Sequence, residues 1–127
     1  MKIIIDSSFL LHTFSLGLNF TACLDAMAIS YELFIPRSVI TELENLTMKR
    51  KKYARLALQV AKKHSMIVES HCTAISVDEC VLKTANELKA GAIATTDHEL
   101  KKKAWQQGLS VLYIRGKSRY ELTGPPL

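Results

Sequence analysis

The sequence contains four acidic residues whose carboxylates could take part in one reaction. They are spread over most of the chain and are Asp6, Glu42, Asp78 and Asp97. Each lies beside an apolar run or in the first turns of a predicted helix. At such a position a carboxylate can point into a site, but it does not contribute to the hydrophobic core. Carboxylates gathered at one edge of a sheet bind hard divalent cations, which prefer oxygen ligands. Because the chain carries a net charge of +5, such a site predicts phosphodiester chemistry on nucleic acid.

The composition is that of an ordinary globular protein. The 127 residues are 48% apolar and 23% charged, which predicts one domain over residues 1–127. The N-terminal apolar run is too short for a signal peptide or a membrane span, so we expect a cytoplasmic protein without membrane contact. The cysteines, Cys23, Cys72 and Cys80, have no CxxC spacing and are predicted to be small buried hydrophobic residues in a reducing compartment. A partial zinc site of His71 with Cys72 and Cys80 lacks a fourth ligand.

Short apolar runs alternate with amphipathic ones along the chain. The runs that predict strands are Lys2–Ile5, Leu33–Ile35, Met66–Val68, Ala92–Ala94 and Ser110–Ile114. Helices are expected at about residues 19–30, from residue 37, at 53–63, from a capping box at residue 76, and at 98–107. This alternation predicts a three-layer α/β domain with a parallel sheet and helices on both faces. Residues 116–127 are expected to form a C-terminal tail, partly extended or loose at its end.

The predicted topology can bring the acids together. In open α/β sheets, sites form beyond the carboxyl ends of strands, where the strand order reverses. Asp6 follows the first strand and Asp97 follows the fourth, so both carboxylates share one crevice if these strands are neighbours. Each acid also has a structural alternative. Asp6 and Asp97 could cap turns or helices, Asp78 suits a helix dipole, and Glu42 could be a solvated surface residue.

Four segments, in order along the chain, resemble the PIN domain, a small nuclease fold. They are IIIDSSFLLHTFSLG, IPRSVITELENL, SVDECVLKTA and AIATTDHELKKKAWQQGLSVLYIRG. Together they span most of the sequence. The resemblance implies a five-stranded parallel sheet in the order 3-2-1-4-5, with the first and fourth strands adjacent.

The resemblance also implies an activity and a site. A PIN-like protein would be a metal-dependent endoribonuclease, with Mg²⁺ or Mn²⁺ held by the four acids. Thr95 would be the hydroxyl that supports the site. Ser8 and Thr96 lie where members of the family often carry Asn. Because both keep a hydrogen-bonding group, we expect a site that is altered but still active.

The resemblance leaves two roles open. The closing YIRGKSRYEL resembles the ends of archaeal PIN proteins and of those that act in small-subunit ribosomal RNA maturation. A toxin of the VapC type, acting with an antitoxin, is the other role. The implied partners are RNA, together with an antitoxin or ribosome-assembly factors, and a second copy of the chain in a homodimer.

Basic residues occur in clusters that could bind the RNA backbone. The substrate-binding candidates are Arg115, Lys117, Arg119, Lys49 and Arg50. The first three follow the fifth strand, whose carboxyl end faces the same edge as the acids, so they are the strongest candidates for phosphate contacts. The structural alternative for each cluster is a solvated face.

Other functions of an α/β domain fit less well. The main alternative is a catalytically weak or inactive RNA-binding scaffold with the same fold. A receiver domain needs paired acids after the first strand and an acceptor Asp after the third, where this chain has Asp6-Ser7 and Glu69-Ser70. A phosphatase of the Asp-x-Asp type is disfavoured by Ser8. A nucleotide-binding module needs a glycine-rich loop after the first strand, and this chain has none.

Overall fold

The computed structural model describes residues 1–69, 72 and 75–126. Its strands are β1 (Lys2–Ile5), β2 (Glu32–Pro36), β3 (Met66–Val68), β4 (Ala92–Ala94), β5 (Ser110–Arg115) and β6 (Arg119–Thr123). Within this part of the chain they form one six-stranded sheet in the order β3-β2-β1-β4-β5-β6. The first five strands are parallel and follow the predicted order, and β6 is antiparallel to β5.

Helices connect the parallel strands. They are α1 (Ser7–Ser15), α2 (Phe20–Asp25), α3 (Arg37–Met48), α4 (Ala54–His64), α5 (Val77–Glu87) and α6 (His98–Gln106). The sequence predicted neither α1 nor the early end of α2, which stops before a turn in which Ala28 has a left-handed φ of 55°. Within the described residues, no helix combines the length and the apolar character that a bilayer span requires.

The strand β1 lies at the centre of the sheet, and it positions the candidate site. Ile3, Ile4 and Ile5 are at most 1% exposed, as expected for a parallel strand covered on both faces. Right-handed crossovers place α1 to α4 on one face and α5 and α6 on the other. The strand order reverses between β1 and β4, so the chain leaves both strands at the same edge, as the sequence analysis predicted.

The prediction of a purely parallel five-stranded sheet with a C-terminal tail was wrong at β6. Gly116 and Lys117 adopt left-handed φ values of 60° and 59°, which turn the chain back along β5. Tyr120 is only 4% exposed, and its ring centroid lies 4.6 Å from that of Phe9. Its hydroxyl lies 2.7 Å from the Thr13 hydroxyl. These contacts hold residues 119–123 against α1. The sequence analysis had assigned these residues to a C-terminal tail.

The interpretation of all three cysteines as small buried hydrophobic residues was also wrong. Cys72 and Cys80 form a disulfide across eight positions of sequence. Cys23 is a free thiol and is half-buried. Cys80 lies in the second turn of α5, so the disulfide joins that helix to the segment before it. His71, named in the discarded zinc site, lies outside the described residues.

Candidate active site

Asp6 is the centre of the site. It lies between the last residue of β1 and the first residue of α1, and it is 4% exposed. Its Oδ2 atom accepts hydrogen bonds from Ser8 Oγ at 2.7 Å and from Thr95 Oγ1 at 2.9 Å. Burial raises the pKa of Asp6, the bonds from Ser8 and Thr95 lower it, and the charge of Glu42 raises it further. The side chain makes no capping hydrogen bond to α1, so capping does not explain this buried carboxyl.

Two hydroxyls join the end of β1 to the end of β4. Ser8 Oγ lies 3.2 Å from Thr95 Oγ1 and accepts a hydrogen bond from the Thr96 backbone N–H at 3.1 Å. Thr95 Oγ1 accepts from the Asp97 backbone N–H at 3.0 Å. Both predicted supporting residues therefore contact Asp6, and the same hydroxyls hold the chain that leads to Asp97.

Asp97 is the N-cap residue of α6. Capping was the structural role that the sequence analysis gave as the alternative to a role in the site. Its Oδ1 atom accepts hydrogen bonds from the backbone N–H groups of Glu99 at 2.8 Å and Leu100 at 3.1 Å. Both capping bonds use Oδ1, which leaves Oδ2 for other partners. Capping and participation in a site are therefore compatible for this residue.

Asp78 lies in the first turn of α5 and is half-buried. Burial raises its pKa, and the negative charges of Asp6 and Asp97 raise it further. The positive charge of Lys103 acts in the opposite direction. The charges of Asp6 and Asp97 therefore reach Asp78, which comes from a different part of the chain from either. Lys103 was not among the predicted site residues, because its position near Asp78 depends on how α6 packs beside α5.

Glu42 is tied to the site through Ser7. The Ser7 hydroxyl donates a hydrogen bond to Glu42 Oε1, which joins α3 to the first residue of α1. The charge of Glu42 also acts on Asp6. The sequence analysis placed Glu42 here only through the family resemblance, and it missed the role of Ser7. The one available signal was that Ser7 directly follows Asp6.

The predicted substrate-binding residues lie in different parts of the structure and differ in whether their charge is already paired. Lys49 lines a groove of about 600 Å³ that also includes Glu42. Arg50 is exposed, with a left-handed φ of 56°. Arg115 donates a hydrogen bond to Glu121 Oε2 at 2.7 Å, so its charge is already compensated. Lys117 lies in the β5–β6 turn.

Arg119, the remaining candidate, begins β6. It is exposed, and it lies opposite Arg115 in the β5–β6 ladder. Its charge helps to lower the pKa of Glu121, the carboxylate that binds Arg115. The cluster after β5 is therefore partly neutralised by a carboxylate of its own hairpin, which weakens the case that it is the main phosphate site.

The donor chemistry of the site fits a hard divalent cation. Its ligands would be carboxylate oxygens, which Mg²⁺ and Mn²⁺ prefer to nitrogen or sulfur. Over residues 1–69, 72 and 75–126, however, no three His, Cys, Asp or Glu side chains converge closely enough to hold a metal ion. Glu42 is drawn toward Ser7, and Asp97 Oδ1 faces its own helix. Side-chain rotation is therefore needed before three carboxylates can share one ion.

The strand order and the acids at the β1–β4 edge define a class of α/β protein. Proteins of this class carry a carboxylate site at the switch point, which is the place where the strand order reverses. The sequence profile of the PIN like domain matches residues 3–117. The chain belongs to this family, as the resemblance indicated. Ribonuclease VapC4 of Methanocaldococcus jannaschii is 31% identical over 130 residues, covering 97% of each chain.

Solved structures show the same fold. The structure of the PIN domain endonuclease Utp24 superposes with a TM-score of 0.79 at 20% identity, over 99% of this chain and 92% of that one. A domain of a functionally unknown protein from M. jannaschii superposes with a TM-score of 0.64 at 16% identity, over 91% of both chains. At these identities the likeness establishes the fold alone.

Proposed function

We propose that the protein is a metal-dependent endoribonuclease that hydrolyses RNA phosphodiester bonds. One observation carries the proposal. The buried Asp6 carboxylate is held by the Ser8 and Thr95 hydroxyls at the switch point, and its charge acts on Asp78. Burial and neighbouring negative charges raise the pKa of Asp6 and of Asp78, and a bound cation would offset the repulsion. The similarity to Ribonuclease VapC4 supports RNA as the substrate.

Each residue has a role in this proposal. The ligands of Mg²⁺ or Mn²⁺ would be Asp6, Glu42, Asp78 and Asp97. Such an ion, when bound, lowers the pKa of its water and neutralises charge on the phosphate. Ser8 and Thr95 hold Asp6 in one orientation, and Ser7 holds Glu42. Lys103 partly offsets the negative charge around Asp78.

Two biological roles are compatible with this activity. The similarity to Ribonuclease VapC4 supports a toxin that pairs with an antitoxin. The C-terminal segment that forms β6, by its resemblance to PIN proteins of ribosomal RNA maturation, supports RNA processing with ribosome-assembly factors as partners. Expression of the chain alone distinguishes the roles. A toxin would arrest growth, the Asp6→Asn variant would not, and co-expression of a cognate antitoxin would restore growth. A homodimer stays a prediction.

A weak or inactive RNA-binding scaffold is the second candidate. It is favoured by the observation that, among the described residues, no three potential ligands converge on one point. Incubating the protein with a panel of structured RNAs in Mg²⁺ or Mn²⁺ separates the two candidates. Binding without cleavage in either ion would establish the scaffold.

The variant Asp97→Asn tests the site itself. Asn is also a good N-cap residue, so α6 should persist while the charge is lost. We expect cleavage to fall to background. Retained cleavage would exclude the proposed site. Asp25→Asn is the matched control, because it makes the same chemical change at an exposed carboxylate of α2.

A further inference from the structure

Two depressions flank Asp6 on the protein surface. The first, of about 460 Å³, runs between α1 and the turn that joins α3 to α4, and its lining includes Ser8, Lys51, Lys52 and Tyr53. The second, of about 180 Å³, lies between the ends of β4 and β5, and its lining includes Thr95, His98, Lys101 and Tyr113. His12, an exposed residue of α1, lines both. The two depressions are therefore adjacent and share one wall.

One hydroxyl from the lining of each depression hydrogen-bonds to the same carboxylate oxygen, Asp6 Oδ2. Ser8, in the first, donates to Asp6 Oδ2 at 2.7 Å. Thr95, in the second, donates to the same atom at 2.9 Å. A ligand that occupies both depressions therefore lies beside the two hydroxyls that hold Asp6, and His12 lies between its two ends.

Each depression is lined by a lysine and by an aromatic ring that the lysine contacts. Lys52 Nζ lies 5.3 Å from the centroid of the Tyr53 ring. At the other end, Lys101 Nζ lies between two rings, 4.6 Å from the centroid of Trp105 and 5.0 Å from that of Tyr113. Contacts of this kind hold an ammonium group in place without neutralising its charge.

The charges of these lysines remain available for phosphate. In the described part of the chain, neither Lys52 nor Lys101 forms an ion pair with a carboxylate. The neighbouring Lys102, by contrast, lies 3.9 Å from Glu99, and Arg115 is paired with Glu121. Charge complementarity therefore favours the two depressions over the cluster after β5 as the place where a polyanion binds.

We propose that the two depressions form one track for a single strand of RNA. The strand would run from Lys52 and Tyr53, past His12 and over Asp6, to Lys101 and Tyr113. A single strand fits better than a duplex, because rings beside cations bind unstacked bases, which a duplex keeps inside. The inference rests on the proposed nuclease function and deepens it by assigning the substrate's path.

Binding to a cleavage-blocked protein tests the track. In the Asp6→Asn background, we expect Lys52→Ala and Lys101→Ala each to weaken binding of a fluorescent single-stranded RNA about fivefold. The slope of log K against log salt should become shallower by about 0.7 for each lost phosphate contact. His12→Ala should also weaken binding. Lys102→Ala is the matched control, since it removes the same charge one residue away, and its affinity should stay at that of the background protein.

The outcomes separate the track from the nuclease function. If Lys101→Ala binds single-stranded RNA with the same affinity as Lys102→Ala, the track is wrong. Tighter binding of duplex RNA or of single-stranded DNA than of single-stranded RNA would also overturn it. If the parent protein cleaves RNA in Mn²⁺ while the lysine variants bind normally, the track is wrong and the function stands. If lysine-dependent binding occurs without cleavage in any divalent metal, the track stands and the nuclease function falls. Absence of RNA binding and of cleavage would overturn both.

Discussion

Thr95 Oγ1 donates a hydrogen bond of 2.9 Å to Asp6 Oδ2 from 89 positions further along the chain. The same hydroxyl accepts the backbone N–H of Asp97 at 3.0 Å. One side chain at the end of β4 therefore fixes the carboxylate at the end of β1 and the backbone that carries a second acid. Any account of the site depends on this connection.

Replacement of Thr95 by Val should damage both stability and activity. The substitution keeps the shape of the side chain but removes the hydrogen bonds to the buried Asp6 carboxyl and from the Asp97 backbone N–H, together with the contact to Ser8 Oγ. We expect the free energy of unfolding to fall by about 2 kcal/mol in urea denaturation. The rate of RNA cleavage should fall about 10- to 100-fold, as when other groups that orient metal-binding residues are lost.

Thr84→Val makes the same chemical change without the same consequence. Thr84 Oγ1 is buried and has no hydrogen-bond partner within the described residues, so its removal should raise the free energy of unfolding by about 1 kcal/mol. Cleavage should be unchanged. Equal cleavage rates for the Thr95→Val and Thr84→Val proteins would contradict the role given to Thr95.

Asp78→Asn should separate stability from metal binding. Burial, and then the charges of Asp6 and Asp97, raise the pKa of Asp78, so an ionised carboxyl there is unfavourable without a cation. We therefore expect the metal-free variant to melt at a higher temperature than the parent. Mn²⁺ at about 100 times its Kd should stabilise the parent by about 2.7 kcal/mol and the variant by much less. Thermal melts with and without Mn²⁺ measure this. Equal stabilisation of both proteins by Mn²⁺ would remove Asp78 from the site, and Asp25→Asn should behave as the parent does.

The Cys72–Cys80 disulfide should stabilise the protein measurably. For a loop closed across eight positions, the entropy model gives about 2.5 kcal/mol. Reduction with dithiothreitol should therefore lower the free energy of unfolding of the parent by about this amount and leave that of Cys72→Ser unchanged. Cys23→Ala, which removes the free thiol, should keep the sensitivity of the parent. A parent protein insensitive to reduction would show that the pair is not oxidised in solution.

Tyr120 should distinguish a docked β6 from a loose tail. Burial raises the pKa of its phenol, and its hydroxyl lies 2.7 Å from that of Thr13. Removal of the hydroxyl in Tyr120→Phe should lower the free energy of unfolding by about 1 kcal/mol. Removal of the buried ring in Tyr120→Ala should lower it by about 3 to 5 kcal/mol. Near-parental stability of Tyr120→Ala would mean that residues 119–123 do not pack as a strand.

Local sequence patterns predicted most of the parallel fold. The apolar runs of β1 to β5 mark strands because they are short, buried and separated by amphipathic segments. The capping box at α5 was also predicted, and Ser76 Oγ accepts the Glu79 backbone N–H at 3.1 Å. The positions of Asp6 and Asp97 at one edge followed from the strand order, which the family resemblance implied.

Features that depend on long-range packing were not predictable in the same way. The strand β6 forms because Tyr120 packs on Phe9, and no local pattern in residues 116–127 indicates this contact. No helix was predicted at α1, since Asp6 and the serines after it suit a turn as well as the start of a helix. The Ser7–Glu42 bond and the position of His12 between two depressions follow from how α1 lies against α3 and β5.

Metal-dependent cleavage by the Asp6→Asn variant tests the central claim most directly. The parent and the variant, both stripped of metal, are titrated with Mn²⁺ in the presence of a labelled single-stranded RNA, and internal cleavage products are quantified. The proposed function predicts that the parent cleaves only when Mn²⁺ is added and that the variant stays at background at every concentration. Cleavage by the parent without divalent metal, or by Asp6→Asn at the parental rate, would contradict it.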